Sequence, residues 1–392
     1  MGECSGETSI GTRIMKILFC TNKFSEVSNG PAKFANLVLD INEQFREHEI
    51  RILTEDVSES GPCVYKLDLK YPKALGFFGQ LFRIIQYHRA AQKIKTNYYS
   101  YDILVYNNAL IGLYSTILKP ETIGMVNDYN NACRDISNFK FKYKYLKNLI
   151  FKQLEWITLK NQKTTIVNSR FLANYLASKY KIPRSQFQIL YKGIEIPKQT
   201  NSTEIDCSKI IKVLFVKANY YLGGLPLLLS ALGMLPFGFE LTIIGPKNIE
   251  ENQIKQMLAG KNNVSIVFLG YQSQKVVFKK LLETHIYSVP SYREALGVAN
   301  LEAISYGVPV ITTNVGGIPE VLKYGDCGWL VEPGNVKQLS EAFRECITNN
   351  DLRNKKIEMG LKHCMSFDYK IILENFIEIL NLSKTPIVID KC

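Results

Sequence analysis

Short apolar runs alternate along this chain with longer stretches in which apolar residues recur at helical spacing. Six runs in the first half read as strands: MKILFC, EIRILT, DILVYN, TIGMVN, TTIVNS and FQILYK. Six more follow in the second half: IKVLFVK, FELTIIG, VSIVFLG, HIYSVP, VPVITT and GWLVEP. Helical segments such as Ala32–Phe45, Phe77–Lys95 and Tyr145–Leu159 lie between them. Strand–helix alternation at this spacing predicts right-handed βαβ units and parallel sheets. No internal repeat interrupts it.

Twelve strands exceed what one such sheet usually holds and suit an α/β chain of two Rossmann-like domains. The boundary signal is IPKQTNSTEIDCSK (Ile196–Lys209), which is polar and aperiodic, as a linker should be. The expected division begins with a loose extension over 1–14, because MGECSGETSIGTRI has no pattern and Met15 opens the first strand. An N-terminal domain over 15–197, a linker over 198–209 and a C-terminal domain over 210–366 follow. A closing helical segment over 367–392 is expected to return to the first domain. Ligands of paired open sheets bind beyond the carboxyl ends of the strands, so the expected site is the cleft between domains.

Composition narrows the class. A chain of 392 residues, 46% hydrophobic, can bury two cores. It has no run of eighteen apolar residues and nothing like a signal peptide, so neither a membrane span nor export is expected. Nine cysteines, odd in number and without a Cys-x-x-Cys pair, point to free thiols in a reducing cytoplasm. His48, His88, His285 and His363 are far apart, and no bound metal or other cofactor is expected. The net charge of +12 is compatible with nucleic acid, an anionic membrane, a phosphorylated ligand, or solubility alone.

Four strand-to-helix turns carry chemistry suited to a diphosphate. Gly30 and Pro31 open a helix after the first strand. Lys217 ends a strand, and Gly223-Gly224 precede a helix with Pro226 in its first turn. A helix N-terminus of this kind offers unpaired N–H groups and a positive dipole end to phosphate. The third turn lies in SYREALGVANLEAISYGVPV, where Gly297 starts a helix carrying Glu302, eight positions after Glu294. Carboxylates so placed accept hydrogen bonds from sugar hydroxyls. The fourth holds Gly316-Gly317 ahead of Pro319. Neither Gly-x-Gly-x-x-Gly nor a Walker-type lysine loop is present, which disfavours nicotinamide and P-loop enzymes.

PSYREALGVANLEAISYGVPVITTNVGGIPEVL followed by GWLVEPGN resembles the C-terminal core of family-4 retaining glycosyltransferases of the GT-B fold. IVNSRFLANYLASKYKIP…ILYKGIE, LTIIGP, VSIVFLGYQS and FDYKIILENFIEI extend the resemblance over most of the chain. It implies a metal-independent enzyme moving a sugar, with retention, from a UDP- or GDP-sugar to a glycan or lipid-linked acceptor of cell-surface synthesis. Glu294 would contact hydroxyls of the transferred sugar and Glu302 the nucleotide ribose. Backbone N–H groups around Gly297, Val298, Ala299 and Asn300, and the loop at Gly30, would hold phosphate. Gly270-Tyr271 would lie near the base.

Three departures accompany the resemblance. Ala218 and Gly223 stand where the family usually has arginine and lysine, which leaves Lys217 to neutralise the departing diphosphate. Asn127 precedes Asp128 where histidine is common; asparagine can hydrogen-bond a sugar but cannot act as acid or base. Lys192 occupies a usual asparagine position in YKGIE.

Asn138–Trp156 and Phe77–Lys95 interleave aromatics with cations. They read either as packed helices with solvated basic faces or as a patch for an anionic membrane on the cytoplasmic side. No nucleic-acid module is recognisable, and nucleic acid is not an expected partner. A sugar-nucleotide binder without turnover and a GT-B epimerase are the competing functions.

Overall fold

The computed structural model describes residues 14–25, 30–44, 48–69, 76–129, 132, 142–201, 204–258 and 260–384. The expected extension therefore lies outside the described residues up to position 13, as do 26–29 before Gly30, 138–141 of the basic stretch and 202–203 of the linker.

Thirteen strands and fourteen α-helices are formed among the described residues. The chain opens with β1 (Met15–Thr21), α1 (Gly30–Leu39), α2 (Ile41–Gln44), β2 (His48–Thr54), β3 (Val64–Lys66) and α3 (Gly76–Asn97). Next come β4 (Ile103–Tyr106), α4 (Leu113–Leu118), β5 (Ile123–Val126), α5 (Lys142–Asn161), β6 (Thr165–Val167), α6 (Arg170–Tyr180) and β7 (Phe187–Ile189). The second half supplies β8 (Ile211–Val216), α7 (Leu225–Gly233), β9 (Phe239–Ile244), α8 (Glu251–Gln256), β10 (Val264–Gly270) and α9 (Gln274–Leu281). It continues with β11 (Ile286–Val289), α10 (Val298–Ser305), β12 (Val310–Thr313), α11 (Ile318–Val321) and β13 (Trp329–Val331). Three helices close it: α12 (Val336–Thr348), α13 (Asn350–Cys364) and α14 (Tyr369–Lys384).

All twelve expected strands form, and β3 is an addition. Its three residues, VYK, are too few to show a period, and it is an edge strand paired to β2. The helix expected over Ala32–Phe45 divides in two at Asp40. Asn42 is spent on β2, with Nδ2 donating to the Ile50 carbonyl at 2.9 Å and Oδ1 accepting from its N–H at 2.6 Å.

The strands make two sheets, ordered β3-β2-β1-β4-β5-β6-β7 and β10-β9-β8-β11-β12-β13. The β1–β2, β1–β4, β2–β3 and β4–β5 pairs of the first sheet are parallel, and so is each pair of the second. In each sheet the order reverses beside the first strand, at β1/β4 and at β8/β11, as doubly wound sheets do. Residues such as Ile17, Leu18 and Phe19 of β1, and Val213, Leu214 and Phe215 of β8, are buried on consecutive positions, because helices cover both faces.

The chain divides into two compact units. One comprises the described residues of Met1–Val126, Asn131–Ile166 and Ile377–Cys392; the other those of Asn127–Asn130 and Val167–Phe376. The core of the second is built from β8, β9, β11 and β12 with Leu225, Leu228, Leu229 and Leu232 of α7 and Phe343 of α12.

Candidate functional site

At the β8/β11 reversal, two loops leave the carboxyl edge of the second sheet side by side. Lys217 directly follows β8, and Glu294 lies in the loop between β11 and α10. Their side chains form an ion pair, Lys217 Nζ to Glu294 Oε2, with 28% and 24% of the side chains exposed. The other carboxylate oxygen accepts from the Ala295 N–H at 3.0 Å. The loops are also joined through their backbones, Tyr292 N–H donating to the Leu222 carbonyl at 2.9 Å.

Glycines permit this closeness. A Cβ at Gly223 would sit 2.9 Å from Cγ of Lys217, so the lysine stem crosses the position where the related pattern has another lysine. Gly224 has φ 74° and lies against the Pro290 carbonyl, and α7 starts there with Pro226 in its first turn. Gly316, at φ 60°, faces the Glu294 carbonyl so closely that any side chain would collide with it, and Gly317 is pressed on Ala295 and Leu296. The fourth glycine turn thus supports the glutamate loop from beneath.

Gly297, at φ 90°, caps α10, and Val298, Ala299 and Asn300 form its first turn. Asn300 is buried, and its Oδ1 has no hydrogen-bond partner among the described residues. Glu302 is half-buried on the next turn, where its Oε1 accepts from Gln274 Nε2 at 2.6 Å. Burial pushes the Tyr287 phenol well up, and the Glu302 and Glu294 carboxylates add to the effect, so this tyrosine lies within the field of both. Gly270 ends β10 at φ 64°, its carbonyl accepting from Gly245 N–H at 2.7 Å, and Tyr271 beyond it is exposed. Gly245 is in turn packed on the Lys217 backbone.

Lys217, Glu294, Gly223, Gly224 and Gly297–Asn300 therefore form one constellation, with Glu302 a turn further and Gly270-Tyr271 at the neighbouring strand end. Asn127 follows β5 but groups with the second unit, its carbonyl accepting from Asn168 Nδ2 at 2.8 Å. Gly30 belongs to the first unit as the first residue of α1. Among the described residues no group of three or more His, Cys, Asp and Glu side chains is disposed to hold a metal ion. The six described cysteines are free.

Several residues at this site escape a reading of local pattern. Tyr129, two positions after Asn127, is buried and donates its hydroxyl to the Glu294 carbonyl at 3.3 Å. The Arg293 guanidinium stacks 4.6 Å from the centre of the same ring. Ser169 Oγ donates to the Ala295 carbonyl at 2.9 Å. Glu320 of the Gly-Gly-Ile-Pro-Glu turn accepts from the Arg170 and Phe171 N–H groups at 2.8 and 2.7 Å and from the Tyr191 hydroxyl at 2.8 Å. A carboxylate there satisfies first-turn donors of α6 and complements its dipole. Next to Tyr191, Lys192 is buried, and desolvation holds its ammonium down to about 7.

The model of the family described as glycosyl transferases group 1 matches residues 199–363. The lipopolysaccharide glucosyltransferase WaaG of Escherichia coli strain K12 is 25% identical over 235 residues, which is 55% of this chain and 61% of that protein. The chain spans 57% and 61% of the length of the first two curated relatives it matches. Among solved structures, sucrose-phosphate synthase of Thermosynechococcus elongatus superposes with a TM-score of 0.74 at 16% identity, over 94% of this chain and 98% of that one. HepE of Anabaena, in complex with UDP and glucose, superposes with a TM-score of 0.68 at 16% identity, over 94% of this chain and all of its own (100%). At these identities the likeness is one of fold, and the fold is GT-B.

Proposed function

Because residues 199–363 belong to the group 1 glycosyl transferases and the chain carries the GT-B fold, we propose that this protein transfers a sugar from a nucleoside diphosphate sugar to a glycan or lipid-linked acceptor. UDP-sugars are the first choice of donor, since HepE was solved with UDP and glucose. The names of relatives in lipopolysaccharide and capsular polysaccharide synthesis support a role in surface-glycan assembly.

The observation that carries the reading is the Lys217–Glu294 pair at the reversal of strand order, beside the N-terminus of α10. In this proposal the donor diphosphate lies against the first-turn N–H groups of α10 and draws the Lys217 ammonium, while Glu294 accepts from hydroxyls of the sugar. The negative charge that builds on the diphosphate as the glycosidic C–O bond breaks is met by the lysine and the helix dipole. The acceptor oxygen bonds to the anomeric carbon on the face the diphosphate leaves, and its proton passes to the departing phosphate oxygen. That route preserves the anomeric configuration and asks no acid–base chemistry of Asn127, which orients a hydroxyl. Glu302 holds the ribose, and Tyr271 lies by the base.

A thermal-shift panel of UDP-, GDP-, ADP- and dTDP-sugars tests this directly, because a ligand that binds only the folded state raises Tm by mass action. One nucleotide class should stand out, and Lys217→Ala should then lower turnover by about 10²–10³-fold, the scale of losing one group aimed at developing charge. Stabilisation by none of the four, or unchanged turnover in the variant, refutes the reading. Strong binding with no turnover in the wild type would instead favour a sugar-nucleotide binder, the second reading, which the absence of side chains at Gly223 and of a cation at Ala218 favours.

The same proposal includes an anionic membrane as the surface on which a lipid-linked acceptor is met. In the first unit α4 exposes Tyr114, Ile117 and Leu118, and α3 exposes Phe82, Arg89 and Lys93. Between Phe77 and Lys119 the sequence has five Lys and Arg against the single acid Asp102. No helix among the described residues is long and apolar enough to cross a membrane, so contact would be at the surface.

A further inference from the structure

Tyr129 takes no part in the proposed reaction, yet its ring and hydroxyl engage the loop that carries Glu294. The hydroxyl donates to the Glu294 carbonyl at 3.3 Å, and the Arg293 guanidinium lies over the ring at 4.6 Å. On its other sides the ring meets Phe171 edge-on at 5.4 Å and Tyr175 at 5.2 Å, both on α6. Helix α6 is held at its start by Glu320 and by Ser169, whose Oγ also grips the Ala295 carbonyl at 2.9 Å. Beneath, Gly316 and Gly317 bring a rigid backbone against Glu294 and Ala295. Three consecutive residues, Arg293, Glu294 and Ala295, are thus clamped by a tyrosine, a serine and a glycine pair from three different segments.

We infer that Tyr129 is a positioning residue for the Glu294 carboxylate, acting through the stacked Arg293 side chain and the Glu294 carbonyl. The inference rests on the proposal that Glu294 meets the transferred sugar. A glutamate aims its carboxylate through several rotatable bonds, so the direction of its backbone sets where the oxygens fall. Displacing a reacting group by an ångström is enough to cost a large factor in rate. The tyrosine also stands two residues from Asn127, in the short segment that groups with the second unit. The Arg293 guanidinium over its ring makes a cation–π contact, which ties the residue preceding Glu294 to the tyrosine.

The test compares Tyr129→Phe, which keeps the ring and its stack, with Tyr129→Leu, which removes both contacts, in the full chain. Amide hydrogen exchange of peptides spanning 293–297 is read beside the kcat and KM of UDP-glucose hydrolysis, or of GDP-mannose where the donor panel selects guanosine. For the leucine variant the expectation is exchange at least tenfold faster in that segment, unchanged exchange in β8 and β11, and kcat down 10- to 100-fold with KM within threefold. The phenylalanine variant should recover kcat to within threefold of wild type. Unchanged exchange at 293–297 in the leucine variant overturns the inference. So does faster exchange throughout the second unit with kcat and KM altered together, which would make Tyr129 a fold-holding residue. A wild type that neither binds nor hydrolyses any nucleotide sugar overturns the functional proposal instead, and the exchange comparison then still decides whether Tyr129 holds the loop.

Discussion

Lys192 is 7% exposed, and burial holds its ammonium down to about 7 against an ordinary 10.5. Above pH 7 the folded protein has lost that proton while the unfolded chain keeps it until about 10.5. Stability therefore rises with pH across this window, by up to about 1.4 kcal/mol per unit, and the cost of burying the charge is greatest at pH 7 and below. Replacing it, as in Lys192→Met, should raise the urea midpoint at pH 7 and erase most of the gain between pH 7 and 9. Parallel pH dependences for wild type and variant would mean that Lys192 is not the group responsible. At the same scale, Lys217 and Glu294 were each legible as candidates from strand ends and glycine neighbours. Their pairing was not, since they are 77 positions apart and only the adjacency of β8 and β11 brings them together.

Among the elements, the turns carry the most information. Gly297 and Gly224 each stand at positive φ before a helix, and sequence alone marks such positions through glycine followed by a helical pattern. Gly316 is a different case. TTNVGGIPEVL carries the glycines and proline suited to a diphosphate turn, and in the structure those glycines lie in close approach to Glu294 and Ala295. Gly316→Ala combines an unfavourable backbone region with a collision against a carbonyl, and should cost about 2–4 kcal/mol. Gly260 provides the comparison, with φ 74° and open space around its missing Cβ, so Gly260→Ala should cost only about 1 kcal/mol. Chemical denaturation of both variants checks the difference, and equal midpoints would remove the steric account of Gly316. The break between α1 and α2 and the short edge strand β3 were illegible for a plainer reason. Asn42 is claimed by β2 through tertiary hydrogen bonds, and three residues cannot display a period.

For the whole molecule, the two-sheet plan follows from strand count and alternation, and the family match falls on the half where glycine turns and glutamates concentrate. Charge acts at this scale too. The +12 chain should be drawn to anionic surfaces, and the exposed apolar residues of α3 and α4 would give such contact a face. Flotation with vesicles containing phosphatidylglycerol at low salt should recover the protein with lipid. Raising salt to about 0.5 M should release much of it, since the Debye length then shrinks to a few ångströms. Tyr114→Ser with Leu118→Ser should weaken the association without changing donor-induced stabilisation. A protein that stays with the aqueous fraction at low salt has no such surface.

Taken alone, the sequence determined what depends on neighbours along the chain. Strand and helix periods, the glycine turns ahead of helices, the two glutamates on either side of a helix start, and the missing cations at 218 and 223 are all of this kind. Tertiary structure decided which of those residues meet. Doubly wound order puts β8 beside β11 and so joins Lys217 to Glu294; the collapse of α6 and the 127–129 segment onto the same loop brings Tyr129, Ser169 and Glu320 to it. The reason is physical: local periodicity is set by backbone geometry within a few residues, whereas contacts over a hundred positions are set by which apolar faces are buried together, and that is a property of the folded whole.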